Sequence, residues 1–171
     1  MNSKTALLVI DMLEDFIREG APLEVASARS IIQNVRREID RAHENAEPVI
    51  YLCDRHAPQD PEFQYWPEHA VRGTPGAEII GELKPDAKDI VVAKTTYSGF
   101  YGSSLQDTLK ELGVEKIRLV GVCTNICVMY TTADAVMRGF DVEVIDDATA
   151  ALTGDDHKFA LRQIHDVLKK R

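Results

Sequence analysis

The chain has 171 residues, 44% of them apolar and 28% charged, the mix of an ordinary globular protein rather than of a disordered or membrane-spanning one. A single domain over residues 1–171 is expected, large enough to bury roughly 70% of its unfolded surface without disulfide staples. With 20 Lys and Arg against 28 Asp and Glu, the net charge is -8. That repels phosphate backbones and anionic lipid heads, which argues against nucleic acid and membrane partners and leaves small molecules. Three cysteines are too few and too odd in number for a disulfide framework, so at least one is a thiol and a reducing compartment is expected. The first ten residues carry one lysine and an apolar run of only five, residues 6–10. No targeting signal is read there, and a cytoplasmic protein is expected.

Residues 6–10 (ALLVI) form a short continuous apolar run that ends at Asp11, the pattern of a strand buried on both faces. Apolar residues at 28, 31, 32, 35, 39 and 42 then recur at helical spacing; the charged residues between them are expected to form a solvated face. Further strands are expected at 49–53, 90–93, 117–122 and 142–145. Helices are expected at 105–112, closed by Gly113, at 128–137 and at 155–169. Strands alternating with helices predict a three-layer α/β/α fold with a mainly parallel, doubly wound sheet. Residues 54–76 break the rhythm. They hold four of the seven prolines, the one Trp and two of the five histidines, and so long a loop inside a compact domain is usually functional.

Ligands of an open α/β sheet bind beyond the carboxyl ends of its strands. Asp11 follows the first strand, Asp54 and His56 the second, Lys94 the third, the 121–127 turn the fourth, and Asp146 with Asp147 the fifth. Cys127 is expected at a helix N-terminus, where the macrodipole favours a thiolate and backbone N–H groups can hold an oxyanion. The competing assignment is a buried core cysteine. Asp11 and Lys94 form either a structural ion pair or, beside a thiol, a working one: Asp11 takes the thiol proton and Lys94 holds the charges. Asp54, His56, Glu62 and His69 offer oxygen and nitrogen donors suited to Zn, Fe or Mn; the alternative is polar loop residues facing water. Phe16, Trp66, Tyr97 and Phe100 stand near the same strand ends as walls for a flat ligand or as packing. His157 and His165 are expected on the surface.

Four segments carry a resemblance: residues 7–16 (LLVIDMLEDF), 66–78 (WPEHAVRGTPGAE), 94–100 (KTTYSGF) and 121–128 (GVCTNICV). In this order the chain resembles the isochorismatase-like cysteine hydrolases, and within them the nicotinamidases. The resemblance implies a catalytic trio of Asp11, Lys94 and Cys127, a cis peptide between Val122 and Cys123, and an oxyanion hole from the N–H groups of Cys123 and Cys127. It implies one divalent metal ion, zinc before iron or manganese, on Asp54, His56 and His69, with Glu62 as fourth ligand and Asp60 as its rival. It implies substrate walls at Phe16, Trp66 and Tyr97. Many relatives have a sixth strand after the last helix; here the edge beside the fifth strand is expected to be open or covered by a partner chain, so a homo-oligomer is expected. The implied reaction is hydrolysis of nicotinamide to nicotinate and ammonia. The rivals are a metal-free amidase for ureido or carbamoyl compounds on the same scaffold and, more remotely, a receiver-type signalling module.

Overall fold

The computed structural model describes residues 4–168. Strand β1 (Thr5–Ile10) is followed by a one-turn helix α1 (Glu14–Ile17), a 3-10 segment (Ala26–Ile31), helix α2 (Ile32–Glu44) and strand β2 (Val49–Asp54). The long loop then holds three short 3-10 turns before β3 (Ile90–Lys94) and helix α3 (Leu105–Glu111). Strand β4 (Lys116–Val122) runs through a π-helical turn (Thr124–Val128) into helix α4 (Met129–Met137), and strand β5 (Asp141–Ala150) precedes helix α5 (Gly154–Asp166). The five strands pair in the order β3-β2-β1-β4-β5, every pairing parallel. This is the expected three-layer α/β/α sheet. Its winding reverses at β1, which pairs β2 on one side and β4 on the other.

The alternation of β1 shows why the sheet needs helices on both faces. Leu7 and Val9 enter one apolar core with Val35, Ile39 and Ala42 of α2. Ala6, Leu8 and Ile10 enter the other, with Leu105 and Leu109 of α3 and Ile164 of α5. Burial of side chains of this size contributes roughly 1.5–3 kcal/mol each. None of the described helices is long and apolar enough to cross a membrane.

Three expectations are corrected. The charged face of α2 is not wholly solvated: Glu38 is buried and meets Arg118 of β4 at 2.5 Å, while Arg118 also meets Glu47 at 2.7 Å. A buried guanidinium requires such partners. Strand β5 continues past 145 because its register against β4 slips. Leu119 pairs Val144 but Gly121 pairs Thr149, so the intervening residues bulge outward. Asp146 and Asp147 therefore leave the strand ends for the surface, where they pair with His165 at 2.9 Å and Arg37 at 3.0 Å. The last expected helix ends at Asp166; its expected terminus at Lys169 lies outside the described residues.

Candidate active site

Register alone brings the first two charges together, since Asp54 and Lys94 are direct partners across β2 and β3. Lys94 is fully buried. Its Nζ lies 2.5 Å from Asp54 Oδ1 and 2.7 Å from Asp11 Oδ2, donates to the Thr96 carbonyl at 3.2 Å, and stands 3.5 Å from Cys127 Sγ. Asp11 reaches this point because its backbone turns into the left-handed region (φ 51°) at the end of β1. There its Oδ1 accepts the Asp54 N–H at 2.9 Å. The peptide between Val122 and Cys123 is cis. The π turn that follows presents Cys127, whose Sγ, an Asp11 oxygen and an Asp54 oxygen lie within 4.8 Å of one another. Cys123 and Cys127 both line the crevice in front of this cluster, and all three cysteines are free thiols.

Burial opposes the Lys94 charge, but the carboxylates of Asp11 and Asp54 more than offset it and hold the ammonium well above the ordinary lysine value. Burial likewise pushes the Cys127 thiol well up, against the pull of Lys94. Desolvation thus opposes the thiolate that the helix terminus and Lys94 favour. Burial, then the Asp54 charge, raises Asp11, with Lys94 opposing. A carboxylate of raised proton affinity beside a buried thiol is suited to accept its proton.

Beyond Asp54, the long loop folds back so that ligand-type atoms of Asp54, His56 and His69 all lie within 4.8 Å of one another. The Nε2 atoms of His56 and His69 stand 3.7 Å and 3.9 Å from Asp54 Oδ2. His69 Nδ1 meets the Pro67 carbonyl at 2.7 Å. A carbonyl only accepts, so Nδ1 carries the proton and Nε2 presents its lone pair inward. Both ring nitrogens of His56 are buried without a hydrogen-bond partner, an arrangement that costs free energy unless something fills it. Two inward imidazole nitrogens and one carboxylate oxygen fit a divalent ion such as zinc. Glu62 lines the crevice but is not in this three-residue cluster; burial and the Asp54 charge push its carboxyl up. Asp60 is not in the cluster either. It caps its own 3-10 turn by accepting the Glu62 N–H at 2.9 Å and stands 3.3 Å from the outer nitrogen of His56.

Phe16, Trp66 and Tyr97 line the crevice. The Trp66 Nε1–H donates to Tyr97 Oη at 2.9 Å, and Tyr97 stacks on Tyr130. Phe100 does not reach the crevice; it packs in the second core against Phe140. Leu23, Ile126 and Leu152 add to the apolar lining, and Phe63 packs edge-on to both metal-type histidines. Nothing in the spacing of these four marks them, because each arrives from a segment without periodicity. His157 also departs from expectation: it meets the buried Thr124 hydroxyl at 2.8 Å. His165 is exposed, as expected.

The Isochorismatase domain model matches residues 5–169. The chain belongs to the isochorismatase family. It is 37% identical over 164 residues to an Arabidopsis thaliana protein described as a probable inactive nicotinamidase, across 90% of this chain and 84% of that one. The N-carbamoylsarcosine amidase of Thermoplasma acidophilum superposes with a TM-score of 0.87 at 36% identity, covering 95% of this chain and 92% of that chain. The pyrazinamidase of Pyrococcus horikoshii in complex with zinc superposes with a TM-score of 0.90 at 31% identity, covering 95% and 94%. The family to which the chain belongs thus holds nicotinamidases and related amidohydrolases.

Proposed function

We propose that the protein is a metal-dependent cysteine amidohydrolase converting nicotinamide to nicotinate and ammonia. The observation that carries this reading is the Asp54, His56 and His69 cluster opening on the same aromatic-walled crevice as Cys127. A metal-free amidase has no use for two inward imidazole nitrogens. Likeness to a pyrazinamidase in complex with zinc supports the same ion here. When bound by Asp54, His56 and His69, zinc supplies a Lewis-acid contact for a ring nitrogen and orients the flat substrate.

In this mechanism Phe16, Trp66 and Tyr97 enclose the pyridine ring and shed water from it. The Cys127 thiol passes its proton to Asp11 as Sγ attacks the amide carbon. Lys94 stays charged and balances Asp11 and Asp54 throughout. The N–H groups of Cys123 and Cys127 hold the developing oxyanion. As the carbon–nitrogen bond breaks, Asp11 returns its proton to the leaving nitrogen, which departs as ammonia. Asp11 then deprotonates a water that opens the Cys127 thioester, releasing nicotinate and restoring the thiol.

The test is ammonia release from nicotinamide, pyrazinamide and N-carbamoylsarcosine, each with and without a chelator. Nicotinamide and pyrazinamide should be hydrolysed, and chelation should remove most of that turnover. Hydrolysis confined to the carbamoyl compound and indifferent to chelator would replace this reading with the carbamoyl amidase on the same scaffold.

A further inference from the structure

The turn that presents Cys127 is fixed from two directions. In front, Cys127 faces Lys94. Behind, Thr124 points away from the crevice, is wholly buried, and meets Nδ1 of His157 on α5 at 2.8 Å. Inside the turn, the Cys123 carbonyl accepts the N–H groups of Ile126 at 3.0 Å and Val128 at 3.1 Å. Thr124 follows directly on Cys123, so whatever holds its side chain also holds the Cys123 peptide. His157 is not among the residues that line the crevice; it lines a neighbouring depression with Thr149 and Thr153, and the two meet at Leu152.

We infer that His157 is a positioning residue for the hydrolytic site. Through Thr124 it fixes the 123–127 turn, and with it the sulfur and the two N–H groups that act on the amide; this rests on the cysteine hydrolase reading above. A hydroxyl and an imidazole can exchange donor and acceptor roles, so the tether survives either tautomer. Catalytic groups need placement to within about 0.5 Å, and that precision comes from packed and hydrogen-bonded supports of this kind.

The experiment compares zinc-loaded wild type with His157→Ala, His157→Asn and Thr124→Val, using nicotinamide as substrate. In His157→Ala and Thr124→Val, kcat should fall about tenfold or more with KM within about twofold, because misplacement is felt in the transition state more than in binding. The two changes combined should cost little more than either alone, since they break one contact. His157→Asn, whose amide reaches the position of Nδ1, should recover most of the rate. A lowered melting temperature with kcat per folded molecule unchanged would overturn the inference and leave His157 a purely structural residue. Alkylation of Cys127 by iodoacetamide, read by peptide mass, gives a second measure that needs no amide. If wild type leaves nicotinamide intact, the substrate reading fails on its own. The inference about His157 then stands if His157→Ala and Thr124→Val each change the alkylation rate about threefold or more. Equal rates in all four proteins would overturn it.

Discussion

A fully buried lysine persists only where its charge is met, and Lys94 is met by two carboxylates, a carbonyl and a thiol. Removing it does two separable things. Lys94→Ala leaves Asp11 and Asp54 buried beside each other without a counter-ion, which should cost about 3–5 kcal/mol in urea unfolding. In the proposed mechanism it also leaves the proton transfer between Cys127 and Asp11 without its balancing charge. Asp11→Asn and Lys94→Ala should each lower kcat by about 10³-fold or more, and the double variant should lose far less than the product, because groups that act as a unit are not additive. A double variant whose losses multiply cleanly would mean independent roles. These residues were legible in the sequence because each directly follows an apolar run, and a charge at the end of a buried strand has few places to go. His157 was not legible: its partner Thr124 lies 33 positions away, and α5 shows only an ordinary polar face around it. The role of Asp60 was hidden for a related reason. The resemblance makes it a rival to Glu62 as ligand, whereas its backbone position makes it a cap and an outer neighbour of His56.

Elements set the site through close approaches that only small residues permit. At Gly121 the backbone takes φ 113°, and a Cβ there would run into the Ile10 carbonyl, so this glycine lets β1 and β4 meet just before both chains turn into the crevice. At Gly76 a Cβ would strike the Asp15 carboxylate. That carboxylate accepts the N–H of Ala70 at 2.8 Å, the residue directly after His69, itself in the left-handed region at φ 44°. Gly76→Ala should therefore displace Asp15, free Ala70 and let His69 drift, weakening zinc binding about tenfold or more by calorimetric titration. Unchanged affinity would show that His69 is held by its Pro67 contact alone. Strand runs and helix periods gave the order of the elements from sequence, since burial on both sheet faces writes itself as unbroken apolar residues. The outward bulge of β5 was not readable, because register is a property of two strands and the polar residues 146–147 look the same at a strand end and in a bulge.

At the scale of the molecule, the reversal of the winding at β1 gathers Asp11, Lys94 and Cys127 from three different strand ends. The irregular loop after β2 then lays the Asp54, His56 and His69 cluster across the same mouth. An ion that binds only the folded chain stabilises the whole of it. At 100 times its dissociation constant zinc should add about 2.7 kcal/mol, a rise of roughly 5–10 °C in melting temperature for a chain of this size. His56→Ala should abolish that rise, and a melting temperature indifferent to zinc in the parent protein would remove the metal from the account. Whether amide hydrolysis runs through the Cys127 sulfur is decided by ammonia release from nicotinamide, measured on zinc-loaded wild type and Cys127→Ala side by side. Wild type should release ammonia and nicotinate in equal amounts while a folded Cys127→Ala releases neither; comparable release by both proteins would contradict the account.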